Sequence, residues 1–326
     1  MQAGEKWMER RRVPLYLAAL AAGAGIGLLI PGSGDVLGAA ITPVLVLLMY
    51  LTFLSVPFGA LTTAVRDRRF LLTVVLVNFA VVPLVVFGLT RFVADEQALL
   101  VGMLFVLLCP CVDYVIVFTG LAGGARDRLL AATPVLMLGQ VLFLPVYLWL
   151  FVGAEAVLAV DPGPFIEAFV VIIVLPLTAA VPTQRAAPAS RSAAALQERA
   201  LRAMVPVMML TLAVVVGSQI HGVGARLGGL VVPAVLYAVF AAVMVPIGMV
   251  AGRVAQLDVP GRRAVVFAGA TRNSLVVLPL VLALPAGYDL APLVVVTQTL
   301  VELVAMVVFV RWVPRLVLPP GLRPAG

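Results

Sequence analysis

The chain has 326 residues, of which 63% are hydrophobic and 11% charged, and its mean hydropathy is +1.17. So few charged residues cannot cover the surface of a soluble domain of this length, which excludes an ordinary globular fold. The net charge of +7 and pI near 10.1 do not indicate a nucleic-acid binder, because the basic residues fall in short loops between apolar runs, where they act as topology signals.

Residues 1–12 are charged, and the apolar run after them continues as a membrane span rather than ending in a cleavage site, so no cleavable signal peptide is expected. A window of about 19 residues then marks about ten candidate spans. In chain order they are 13–31, 36–58, 70–91, 98–121, 129–152, 164–182, 202–219, 230–252, 264–284 and 290–313. The sixth is the weakest, being short and carrying Pro176 and Pro182. The expected fold is an all-α integral membrane protein.

Charge alternates across these spans. Nineteen of the 22 basic residues fall on one side, from Lys6 and Arg10–Arg12 to Arg311, Arg315 and Arg323. The other side holds Arg91 and Arg226 with Asp35, Asp95, Glu96, Glu155, Asp161, Glu167 and Asp289. The positive-inside rule then predicts a multi-pass protein of the cytoplasmic membrane with both termini in the cytoplasm.

Two spans are each interrupted by a polar cluster. The first is Leu108-Cys109-Pro110-Cys111-Val112-Asp113 and the second is Ala270-Thr271-Arg272-Asn273-Ser274. An aspartate or arginine at membrane depth costs at least about 2.5 kcal/mol on insertion scales, so it calls for a compensating role. Broken backbone at that depth survives only where it packs on protein or lines a cavity. The halves also show faint self-similarity: Pro43-Val44 recurs as Pro206-Val207, and Val82-Pro83 recurs as Val245-Pro246. The expected organisation is one membrane domain made of two inverted five-helix repeats, 1–155 and 156–326, with the fourth and ninth spans broken.

The polar residues at depth form the candidate site. Asp113 either pairs with Arg272, or takes and releases a proton or helps hold a cation during transport. Arg272 is a fixed cation that either meets an anionic substrate or stands where another transporter holds sodium. Thr271, Asn273 and Ser274 line the site, satisfy backbone freed by the break, or do both. Gln298 and Glu302, four apart, share one face of the last span, and Gln140 occupies the matching place in the first half. Cys109 and Cys111 are two apart, so on a helix they diverge, and no disulfide between them is expected. Cys111 is either a small buried filler or a ligand for a soft, thiophilic species. His221, in an expected outer loop, is read as exposed and without function.

The stretch from Leu108 through Gly124 resembles the fourth helix of the arsenical-resistance (arsenite efflux) transporters, within the bile acid:sodium symporter superfamily. The cysteine of that helix aligns with Cys111. Gly269 through Leu280 resembles their ninth helix, and Val295 through Leu303 resembles their tenth. The resemblance implies that helices 4 and 9 cross within a core of helices 3–5 and 8–10, moving against a panel of helices 1, 2, 6 and 7. This chain departs from the arsenite exporters in having Ser274-Leu275 where they carry a glutamate after the asparagine. It departs from sodium-coupled relatives in having Ala268 for a glutamate and Arg272 for a glutamine.

The function expected is secondary active export of arsenite or a related metalloid oxyacid in exchange for protons. Cys111 would contact the metalloid and Asp113 would respond to protons, with Arg272, Asn273 and Ser274 lining the other half of the site. The alternative is an organic-anion transporter with the anion at Arg272, with or without sodium. An intramembrane enzyme lacks support, since no Ser/His pair, metal-ligand cluster or phosphate loop lies at depth. The partners expected are the lipid bilayer, the substrate and a coupling ion, a proton rather than sodium. No cofactor, metal or nucleic acid is expected, and the oligomeric state is left open, a homodimer included.

Overall fold

The computed structural model describes residues 12–55, 67–112, 114–153, 167, 170–282, 284 and 287–318. Every regular element among them is helical: α1 (Arg12–Leu29), α2 (Ser33–Ser55), α3 (Arg68–Leu76), α4 (Val82–Thr90), α5 (Gln97–Leu107) and α6 (Tyr114–Leu121), then α7 (Arg126–Val152), α8 (Leu175–Ala186), α9 (Arg191–Val254), α10 (Val259–Ala270), α11 (Ser274–Leu282) and α12 (Ala291–Leu316). Six helical stretches among the described residues are long and apolar enough to cross a membrane.

The six coincide with the second, third, fifth, seventh, eighth and tenth expected spans, and shorter apolar helices stand at the first, fourth and sixth. The fourth and ninth are split by their polar clusters into α5 with α6 and α10 with α11. The seventh and eighth were expected to be separated by a loop around His221, yet α9 is helical throughout, with apolar stretches Arg191–Ser218 and Gly228–Val254. The glycines there cost only about 1 kcal/mol each in a helix, and no proline occurs between Pro206 and Pro233 to stop it. The His221 side chain lies outside the described residues. In the sixth span a π turn, Val170–Val174, leads into α8, which ends at Ala186, beyond the expected residue 182. Pro176 follows this π turn as Pro83 follows the one in the third span.

The chain divides into two compact units. The first is Met1–Val56, Asp161–Leu230 and Leu278–Ala286, and the second is Pro57–Val160, Val231–Val277 and Gly287–Gly326. In the first unit α1 lies against the N-terminal half of α9 at backbone distance. A Cβ on Gly23 would fall 2.3 Å from the Ala213 carbonyl oxygen, and one on Gly27 would fall 2.4 Å from that of Gly217. Small residues four apart on both helices create this approach, the usual packing device between helices in lipid. Gln184 of α8 adds a polar clasp, donating to the carbonyls of Phe53 (2.9 Å) and Leu54 (3.0 Å) on α2.

The second unit holds both interruptions, while the end of the ninth span, from Leu278, falls in the first. Its third span carries a π turn, Val77–Val81, ahead of Pro83. Pro83 has no N–H for the carbonyl of Phe79 four residues back, and the Tyr147 hydroxyl of α7 donates to that carbonyl instead. Gly139 of α7 gives Phe79 its room, since a Cβ there would lie 2.6 Å from the Phe79 ring. At one end of this unit Asp67 and Asp258 accept from the backbone N–H groups of Phe70 and Gly261, capping α3 and α10. Arg128 joins the two caps, with both Asp258 oxygens at 2.8 and 2.9 Å and Asp67 at 3.4 Å. Arg263 binds carbonyls at the ends of α6 and α12, reaching Ala122 (3.0 Å) and Val317 (3.0 Å). Gly123, at φ +64, makes the turn that ends α6, a conformation other residues adopt at a cost.

Candidate functional site

The two breaks meet within the second unit. Pro110 and Arg272 face each other in an isolated antiparallel bridge. The Asn273 N–H donates to the Cys109 carbonyl at 2.9 Å, and the Cys111 N–H donates to the Thr271 carbonyl at 3.4 Å. Those bonds flank the Pro110–Arg272 pair, so the proline sits where the ladder asks for no N–H from it. Each unwound stretch thus satisfies part of the other's backbone, as lipid-depth backbone requires. Cys109 and Cys111 flank Pro110 on this linking segment, not on the helix assumed for them in the sequence reading. Neither cysteine is in a disulfide, and both are buried.

Arg272 is fully buried and is among the largest such side chains in the protein. One guanidinium nitrogen, Nη2, donates to Asn78 Oδ1 (2.8 Å) and to the carbonyls of Ala268 (2.8 Å) and Gly269 (2.7 Å). Nη1 reaches the Leu107 carbonyl at 3.4 Å. The guanidinium therefore caps the C-terminal ends of both α10 and α5, where helix dipoles place partial negative charge. The Phe240 ring lies 5.6 Å from the guanidinium carbon, within cation–π range.

The acid at this arginine is Glu302. Its Oε2 accepts the main-chain N–H of Arg272 at 2.6 Å, a donor released by the break in the ninth span. The same oxygen accepts from Gln298 Nε2 one turn earlier on α12. Asn273 caps α11, its Oδ1 accepting from the Val276 N–H at 3.2 Å. The Thr299 hydroxyl donates to Ser274 Oγ at 2.7 Å, and Thr271 Oγ1 donates to the Phe267 carbonyl at 2.7 Å.

Of the residues expected at the site, Cys111, Thr271, Arg272, Asn273, Ser274, Gln298 and Glu302 are brought together. Gln140 is buried on α7, but no contact places it in this cluster. Asp113 lies outside the described residues. Gln140 Oε1 and Gln298 Oε1 are buried without a hydrogen-bond partner among the described residues. Sequence reasoning did not pick out Asn78, Thr299 or Phe240. Asn78 did leave a signal, as the one amide inside the apolar run from Phe70 to Leu89. Its side chain also donates to the Val74 carbonyl at 2.9 Å, which fixes the oxygen toward Arg272. Gly269 lets α10 come this close, since a Cβ there would lie 2.9 Å from Val77 and 3.1 Å from Met244.

Residues 42–226, more than half of the chain, match the family model described as the sodium bile acid symporter family. The chain belongs to the sodium bile acid symporter family. As a member it is a secondary transporter of the bile acid:sodium symporter type and not an enzyme, and its apolar helices imply a lipid bilayer and a transported substrate. No curated protein matches the chain.

Proposed function

We propose that the protein exports arsenite or a related metalloid oxyacid across the cytoplasmic membrane in exchange for protons, in the manner of the arsenical-resistance transporters. The observation that carries this reading is the placement of Cys109 and Cys111, both buried and outside any disulfide, on the unwound segment that pairs with Thr271–Asn273. A thiol suits a soft metalloid and binds it reversibly, as a carrier requires. Cys111 is the contact, and Asn273 and Ser274 line the opposite half. The Gln298 amide oxygen, buried beside Glu302 without a protein partner among the described residues, is the kind of group a hydroxylated oxyacid satisfies. Asp113, the acid next to the break, is the proton-responsive group.

The organic-anion reading is favoured by the family's name, and it would place the anion at Arg272. The guanidinium is already taken up by Asn78 and the helix-end carbonyls, which argues for the metalloid instead.

Two inverted repeats, 1–155 and 156–326, with ten passes and both ends in the cytoplasm, complete the reading. In support, one broken span falls in each half, and the two units group spans three to five with eight, ten and the first part of nine, and one, two, six and seven with the end of nine. The test is arsenic accumulation in cells lacking their own efflux pump. Expression should lower accumulation and raise tolerance, and unchanged values of both would overturn the proposal.

A further inference from the structure

We propose that Cys109 and Cys111 act together as a dithiol that chelates one trivalent metalloid centre, so that the carrier selects arsenic or antimony species with at least two exchangeable hydroxyls. The inference rests on the export reading above and adds Cys109 to it. Two residues this close diverge on a helix, but the break puts these on extended backbone, where residues two apart share a face. Pro110 favours that conformation, since it fixes its own φ and biases Cys109, the residue before it, away from the helical region. The bonds that flank the Pro110–Arg272 bridge, from the Asn273 N–H to the Cys109 carbonyl and from the Cys111 N–H to the Thr271 carbonyl, fix the register. Cys109 therefore stands opposite Asn273 and Cys111 opposite Thr271, all on one face, with Pro110 and Arg272 on the other. Both cysteines are 1% exposed, and the chain has no others.

Arsenite in neutral water is an uncharged trihydroxide. Each thiol gives its proton to one hydroxyl, which leaves as water while an As–S bond replaces the As–O bond. Two such exchanges release two waters and keep one hydroxyl on arsenic, which stays trivalent throughout. No electron moves and no co-reactant enters. The retained hydroxyl is left on the face that carries Thr271 and Asn273. The second As–S bond forms within one molecule, at the effective concentration that the Pro110 link sets, so two thiols hold the centre more tightly than one. Hydrolysis by the reverse steps restores both thiols and frees the cargo.

The experiment titrates the purified full-length chain in detergent with methylarsonous acid, which has two hydroxyls, and with dimethylarsinous acid, which has one, and reads affinity by calorimetry. The wild type should bind the dihydroxy acid about 100-fold or more tighter than the monohydroxy acid. Cys109→Ser should remove that advantage while still binding the monohydroxy acid through Cys111, and Cys111→Ser should weaken both. Equal loss of both acids in Cys109→Ser, as a packing defect would give, would overturn the proposal, and so would a wild type that binds the two acids equally. If Cys109→Ser does not fold, the wild-type ratio still decides it. Methylarsonous acid binding that needs Cys111 and is indifferent to Cys109 would overturn the chelate and leave the export reading standing, whereas a wild type that binds neither acid overturns both.

Discussion

Glu302 holds Arg272 by its main chain: the carboxylate oxygen lies 2.6 Å from the Arg272 backbone nitrogen, while the guanidinium is turned toward Asn78 and the carbonyls of α10. One residue thus brings two donors to the crossing, one from the broken backbone and one from the side chain, and each has its own acceptor.

This arrangement sets the cost of removing the acid. Glu302→Gln leaves an acceptor oxygen for the Arg272 main-chain N–H but removes its charge. A hydrogen bond to a charged group contributes about 1.5–3 kcal/mol. Thermal unfolding in detergent should show a large drop for Glu302→Gln. The double variant Glu302→Gln with Arg272→Met should lose less than the sum of the two single losses, because neither charge is then left alone. Strictly additive losses would mean that the two residues are not coupled.

Asn78 gives a test in both directions. Asn78→Leu removes the amide oxygen that accepts from Arg272, and a hydrogen bond to a charged group contributes about 1.5–3 kcal/mol. Asn78→Asp keeps an acceptor and sets a carboxylate against the guanidinium, so it should be at least as stable as the wild type. Equal unfolding temperatures for the two variants would contradict the contact.

Tyr147→Phe probes the π turn that presents Asn78. Without the hydroxyl the Phe79 carbonyl has no donor from Pro83 and no replacement from α7. A buried acceptor left unsatisfied costs about 1–3 kcal/mol. The expected result is a fall of several degrees in the unfolding temperature, and an unchanged temperature would show that the carbonyl is satisfied by other means.

Much of this was legible in the sequence, because lipid imposes few solutions. The apolar runs gave the helices, and the polar clusters at Cys109–Asp113 and Thr271–Ser274 marked the breaks, since neither group of residues is tolerated in a plain span. What the sequence hid depends on which groups face each other across a fold. The sequence places Glu302 only on one face with Gln298, because nothing local links it to Arg272, thirty positions away. Asn78 was passed over as a single amide among valines and leucines, and only the π turn aims it. The Cys109–Cys111 spacing was read on a helix that the Pro110 link does not form. The absence of a proline made α9 continuous where length alone suggested a loop.

The most direct measurement of the central claim, that the paired breaks hold the cargo, is arsenite flux in sodium-free proteoliposomes under an imposed proton gradient, comparing the wild type with Cys111→Ser. The expected result is gradient-driven flux in the wild type and its loss in Cys111→Ser at an unchanged unfolding temperature. Absence of arsenite flux in the wild type, or flux indifferent to Cys111, would contradict it.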